Sequence, residues 1–98
     1  MASWRKPKDL RFTRHALRQM LERDILPTEV SQTVQRGEVI AEYLDDAPFP
    51  SRLVSAIIDL RPVHVVVAYD QTTGVSHVVT AYRPDPARWD DQFRRVRN

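Results

Sequence analysis

Ninety-eight residues with no cysteine exclude two separate cores, a disulfide frame, a thiolate metal site and a thiol nucleophile. A hydrophobic fraction of 42% beside 29% charged residues excludes wholesale disorder, and the longest apolar run, 65–69, is too short to span a bilayer, so one soluble cytoplasmic domain is expected. Net charge is +2 but unevenly spread: Arg and Lys number seven against two acids in 1–23, three against eight in 24–82, and five against three in 83–98.

Basic ends around an acidic middle suit nucleic acid or an acidic partner, and also an ordinary solvated surface. Thirteen of the fifteen cations are Arg, whose planar fork matches carboxylate or phosphate.

In chain order, residues 1–10, with Pro7 between Lys6 and Lys8, read as a loose basic arm, and 11–98 as a single α+β domain. Thr13 can cap a first helix whose apolar stripe is Ala16, Leu17, Met20 and Leu21. Pro27-Thr28-Glu29 restarts a helix, with Thr28 as N-cap, Val30 and Val34 on one face, and Gly37 in a left-handed position after its end. From Glu38 the hydrophobic period falls to two, giving four strands over 38–44, 52–58, 63–70 and 76–82. Between them lie turn segments rich in Asp, Pro, Gly or Thr, of antiparallel hairpin length. Asp85 and Pro86 then open a short C-terminal helix carrying Trp89 and Phe93 four apart. The expected architecture is two N-terminal helices on one face of a four-stranded, mostly antiparallel sheet, with a short closing helix.

The polar groups on the uncovered face decide the chemistry. A three-residue loop pairing Gln71 with Val75 sets His64 opposite Tyr82 and on one face with Thr80, whereas a four-residue loop starting at Gln71 sets it opposite Ala81. The first register also joins the Val63, Val65 and Val67 side to Val79 and Ala81, and is preferred for that match. His64, Thr80 and Tyr82, with Arg83 next in sequence, then provide a titratable imidazole, two hydroxyls and a permanent cation. That is the inventory of a metal-independent ribonuclease: a base for the ribose 2′-OH, an acid for the leaving 5′-oxygen and positive charge on the phosphate. The plain alternative is a packed strand histidine and a tyrosine covering a sheet edge. His15 falls nearly opposite the apolar stripe of its helix, beside Arg18, Gln19 and Glu22, so it is either a surface residue or one presented to a ligand. Asp45-Asp46 has no further ligand at metal spacing, and two glycines are too few for a nucleotide-binding fingerprint, so neither metal nor cofactor is expected.

The segments beginning at His15-Ala16-Leu17-Arg18-Gln19-Met20, together with Gly37-Glu38-Val39-Ile40, Arg52-Leu53-Val54, His64-Val65-Val66-Val67-Ala68 and Thr80-Ala81-Tyr82-Arg83-Pro84, resemble in that order the domain-of-unknown-function family 4258. The resemblance implies a RelE-like arrangement, shared with toxin ribonucleases of bacterial toxin–antitoxin pairs, and a small antitoxin protein as partner. It implies catalytic positions at His64, Tyr82 and Thr80, with RNA phosphate held by Arg52 and Arg83; His15 and Arg18 of the first helix join them as a candidate catalytic residue and a candidate phosphate ligand. The −5 net charge of 24–82 (three cations less eight acids) departs from the crowded basic sheet of such toxins and points to free RNA over ribosome-bound RNA. The other readings are a non-catalytic module that pairs with a small regulatory protein, and an accessory domain that binds nucleic acid without chemistry.

Overall fold

The computed structural model describes residues 9–97; the expected basic arm lies outside them except for its last two residues, Asp9 and Leu10. These two begin a strand, β1 (Asp9–Phe12), followed by α1 (Arg14–Glu22), α2 (Pro27–Arg36), β2 (Glu38–Tyr43), β3 (Ser51–Ile58), β4 (Arg61–Asp70) and β5 (Val75–Tyr82). The class is α+β, but the sheet has five strands in the order β1-β5-β4-β3-β2, with β1 parallel to β5 and the other pairings antiparallel. Leu10 and Phe12 alternate toward the core, pairing with Ser76 and Val78.

Thr13 links strand to helix. Its Oγ1 accepts the Ala16 amide at 3.0 Å as the α1 N-cap and donates to the Val78 carbonyl at 3.0 Å, so the helix start is tied to β5. The second helix begins one residue before the expected cap: Leu26 is the N-cap and Pro27 the first helical residue, where a fixed φ and a missing N–H cost nothing. Gly37 is not left-handed; its φ is −75°. Glycine is needed there for close approach, because a Cβ would lie 2.4 Å from Thr33 O, 2.7 Å from Val54 Cγ1 and 2.8 Å from Ser55 O.

The two helices bury Ala16, Met20, Ile25, Val30 and Val34 against Val54, Val63, Val65, Val67, Val78 and Ala81 of the sheet. Each of these strand residues belongs to one pleat face, fixed by the pairs Val54↔Val65, Val65↔Ala81 and Val67↔Val78. The β3–β4 connection is a two-residue turn, Asp59 and Leu60 at φ 50° and 70°, the sense of twist that a tight hairpin requires. The β4–β5 loop has four residues, since Asp70 pairs with Val75. His64 nevertheless stands opposite Tyr82, because β5 bulges at Val79: the pairs Val67↔Val78 and Val66↔Thr80 skip it. The preferred His64 register is therefore present for a reason other than loop length, and Val79 is exposed at the bulge instead of packing with the valines.

The expected C-terminal helix is replaced by consecutive turns closed by a Trp89↔Val96 bridge. Asp85 Oδ1 accepts the Ala87 amide at 2.9 Å, and Asp90 Oδ1 accepts those of Gln92 and Arg94 at 3.2 and 3.0 Å. The Asp85 contact is an N-cap on a single turn, whereas Asp90 captures the Gln92 and Arg94 amides that a continuing helix would use, and Phe93 takes φ 59° between those two residues.

Candidate functional site

The face turned away from the helices is organised in three cross-strand rows. At one end Tyr43, Ser51, Ala68, His77 and Arg11 are paired in sequence across all five strands. The β2–β3 connection folds over this row: Asp46 accepts the Ser51 hydroxyl at 2.5 Å, and the Phe49 ring stacks on His77 at 5.8 Å and 8°. The middle row is Ala41, Leu53, Val66 and Thr80, and the far row is Glu38, Ser55, His64 and Tyr82.

His64 has no exposed surface. Its Nε2 lies 2.8 Å from the Phe93 carbonyl oxygen, and its Nδ1 lies 3.1 Å from the Tyr82 hydroxyl. A carbonyl only accepts, so Nε2 carries the proton of the neutral ring, Nδ1 accepts, and Tyr82 donates to it. Trp89 meets the imidazole edge-on at 4.5 Å and 88°, and Tyr82 does so at 5.2 Å and 73°. Burial lowers the His64 pKa more than the Phe93 hydrogen bond raises it. The Tyr82 pKa is raised by burial and by the neighbouring Tyr43 phenol, with Arg88 pulling the other way. At neutral pH the pair is thus a neutral imidazole under a neutral phenol.

Thr80 lies two residues before Tyr82, and its hydroxyl donates to Gln19 Oε1 on α1. Arg23, one turn further along α1, donates to the Ala81 carbonyl at 2.9 Å. This flank of α1 therefore faces the terminal half of β5, where β1 has ended at Phe12↔Val78. His15 precedes Gln19 by one turn and is exposed, with no hydrogen-bond or ion-pair partner among the described residues. Arg18 is exposed further round the helix.

The two other expected phosphate ligands stand elsewhere. Arg52 pairs with Val67 and Glu42 on the helix side of the sheet, 3.8 Å from the Glu42 carboxylate, with the full thickness of the sheet between it and His64. Arg83 is built into a corner: it donates to Pro62 O at 3.3 Å, Asp24 O at 2.9 Å and Glu29 Oε2 at 2.9 Å, joining the end of β5 to the start of β4, to the α1–α2 connection and to α2. Glu29 is positioned for this by its first-turn place in α2, where it also accepts the Leu26 amide at 3.4 Å.

Hence His64, Tyr82 and Thr80 share one face and Arg52 and Arg83 do not join them, while His15 and Arg18 stand exposed on α1 and make no hydrogen bond or ion pair with those three. Gln19, Tyr43 and Arg88 complete the surroundings of Tyr82 and were not singled out from sequence. Only Gln19 carried a signal, its one-turn spacing from His15. No group of three or more His, Asp or Glu among the described residues could hold a metal ion, and no helix there is long and apolar enough to cross a membrane.

The family model described as Domain of unknown function (DUF4258) matches residues 12–83, most of the chain, and the protein belongs to that family. The match spans α1 through β5 and ends at Arg83, before the C-terminal turns. Neither a curated protein nor a solved structure matches the chain significantly.

Proposed function

Starting from membership of a family with no assigned activity, we propose that the chain is a metal-independent endoribonuclease of the RelE-like toxin type, acting on free RNA and held in check by a small antitoxin protein. The observation that carries the reading is the Tyr82 hydroxyl seated on Nδ1 of a buried, neutral His64. With its proton directed into the imidazole, the phenol oxygen has its lone pairs free on the outer side. The ribose 2′-OH gives its proton to this oxygen as the Tyr82 proton passes to Nδ1, and the 2′-oxygen forms its bond to phosphorus. The P–O5′ bond breaks, and His15 donates a proton to the leaving 5′-oxygen. Products are a 2′,3′-cyclic phosphate and a 5′-hydroxyl. Arg18 and Arg88 supply charge for the phosphate, and Thr80, tied to Gln19, keeps α1 and β5 in fixed relation.

Purified protein incubated with single-stranded RNA in EDTA is expected to give cyclic-phosphate ends, with His15→Ala slower by ~10²-fold. Cleavage that requires a divalent ion, or full activity in His15→Ala, rejects the mechanism.

A second reading is favoured by a different observation: His64, Arg52 and Arg83 are all engaged inside the molecule, while Leu17 and Leu21 of α1 are 42% and 85% exposed. On that reading the protein is a non-catalytic module that presents α1 to a small regulatory protein. A stable complex with a protein encoded beside it, and no RNA cleavage by the free chain, selects it.

A further inference from the structure

The segment after β5 crosses the sheet along one row of the open face. Arg94 Nε reaches Glu38 Oε2 on β2 at 2.7 Å, the Phe93 carbonyl accepts both the Ser55 hydroxyl on β3 at 3.2 Å and His64 Nε2 on β4 at 2.8 Å, and Trp89 closes over the imidazole. The segment is braced internally by Arg97, which donates to Asp91 at 2.9 Å and to Pro86 O at 3.0 Å, and by the Trp89↔Val96 bridge. Phe93 can aim its carbonyl downward because its φ is 59°, a value costly for a residue with a side chain and kept here by the Asp90 turn, whose carbonyl accepts the Phe93 amide at 2.9 Å. This strap lies beyond the family match, which ends at residue 83.

We propose that 84–97 is a strap whose Phe93 carbonyl fixes the proton on His64 Nε2, and thereby makes the Tyr82 oxygen an outward-facing proton acceptor. Phe93 is a positioning residue: its backbone touches no substrate and acts through His64. With the carbonyl in place only one neutral tautomer satisfies both ring nitrogens. With the strap lifted, water can serve either nitrogen, the proton redistributes, and the Tyr82 hydroxyl is free to rotate. The site can then be switched by anything that binds or displaces the strap, without movement of the strands. The catalytic consequence rests on the ribonuclease reading; the tautomer does not.

The test compares the full chain with Phe93→Gly, which keeps the carbonyl and tolerates positive φ, and Phe93→Pro, which cannot adopt that φ and loses the amide held by Asp90. Long-range 15N–1H spectra of the imidazoles should show His64 protonated at Nε2 alone in the unaltered chain and in Phe93→Gly. In Phe93→Pro the two nitrogens should move toward a shared average, and RNA cleavage should fall about 10-fold. A proton on Nδ1 in the unaltered chain, or His64 signals unmoved by Phe93→Pro, overturns the proposal. Should Phe93→Pro fail to fold, Arg94→Ala loosens the strap at Glu38 without altering its backbone, and faster exchange of the His64 Nε2 proton is expected; an unchanged rate is contrary. A tautomer that follows Phe93 in a protein that cuts no RNA leaves the strap standing and removes the ribonuclease reading. A released His64 with undiminished cleavage keeps the strap's hold on the tautomer and removes its catalytic consequence.

Discussion

The two faces of this sheet are held by different physics. Toward the helices, Val63, Val65, Val67, Val78 and Ala81 are buried against Ala16, Met20, Val30 and Val34, and stability there depends on shape and apolar area. On the other face Glu38, Ser55 and His64 are met by a strap through a guanidinium, a carbonyl and an indole. Order there depends on which atom carries a proton. A packed face tolerates no added volume but is indifferent to pH; a hydrogen-bonded face behaves in the opposite way.

The largest effect expected from breaking this contrast is on the packed side. Gly37→Ala places a methyl within 3 Å of two backbone oxygens and Val54, and should cost about 3 kcal/mol in urea unfolding, with the loss relative to the unaltered chain the same at pH 7.5 and 5.5. At the seam between the faces, Arg83→Ala leaves Glu29 and two carbonyls without their guanidinium and should cost about 2 kcal/mol. Arg83→Lys should recover only part of this, because one ammonium cannot reproduce the fork. If Arg83 is instead a phosphate ligand, Arg83→Ala leaves thermal stability unchanged and weakens RNA binding.

On the hydrogen-bonded side the effect is smaller and depends on pH. The His64 pKa is depressed in the folded chain, so below the ordinary value of about 6.5 the unfolded chain takes up a proton that the folded one refuses. His64 thus contributes stability that is fully present above about pH 6.5 and is lost as pH falls toward its folded pKa. Melting temperatures at pH 7.5 and 5.5 should differ for the unaltered chain and differ less for His64→Gln. Equal sensitivity in both would assign the effect to other groups. The carboxyls of Asp70 and Asp90, held low chiefly by hydrogen bonds from Thr73 and from the Arg94 amide respectively, act in a lower window.

The packed face was also the legible one. Period and capping located α1, α2 and the four longer strands to within about two residues, because each carries its own apolar pattern. β1 has only Leu10 and Phe12, and its strand character comes from β5, sixty-six residues away in sequence. The His64 register depended on a bulge at Val79, which no local residue announces: the loop has four residues, and the bulge restores the pairing that a three-residue loop would have set. The C-terminal pattern fitted a helix, and Asp85 does start one turn, but the Asp90 side chain then captures the amides that would continue it.

The candidate site was legible as a set of residues sharing a face, and illegible as an environment. Alternation could place His64 beside Tyr82, but the Phe93 carbonyl that covers it comes from twenty-nine residues later in the chain. Arg83 fits a phosphate clamp by type; the carbonyls of Pro62 and Asp24 that occupy it are set by the folding of two other segments. Arg52 was assigned to the site by the family resemblance, and strand parity puts it on the other side of the sheet.

The most direct test of the central claim is Tyr82→Phe, which removes one hydroxyl from the half-exposed end of the row and leaves the ring against His64. The account predicts a melting temperature within a few degrees of the unaltered chain and a fall of ~10² or more in the single-turnover rate of RNA cleavage in EDTA. Cleavage at the unaltered rate by a folded Tyr82→Phe protein would contradict it.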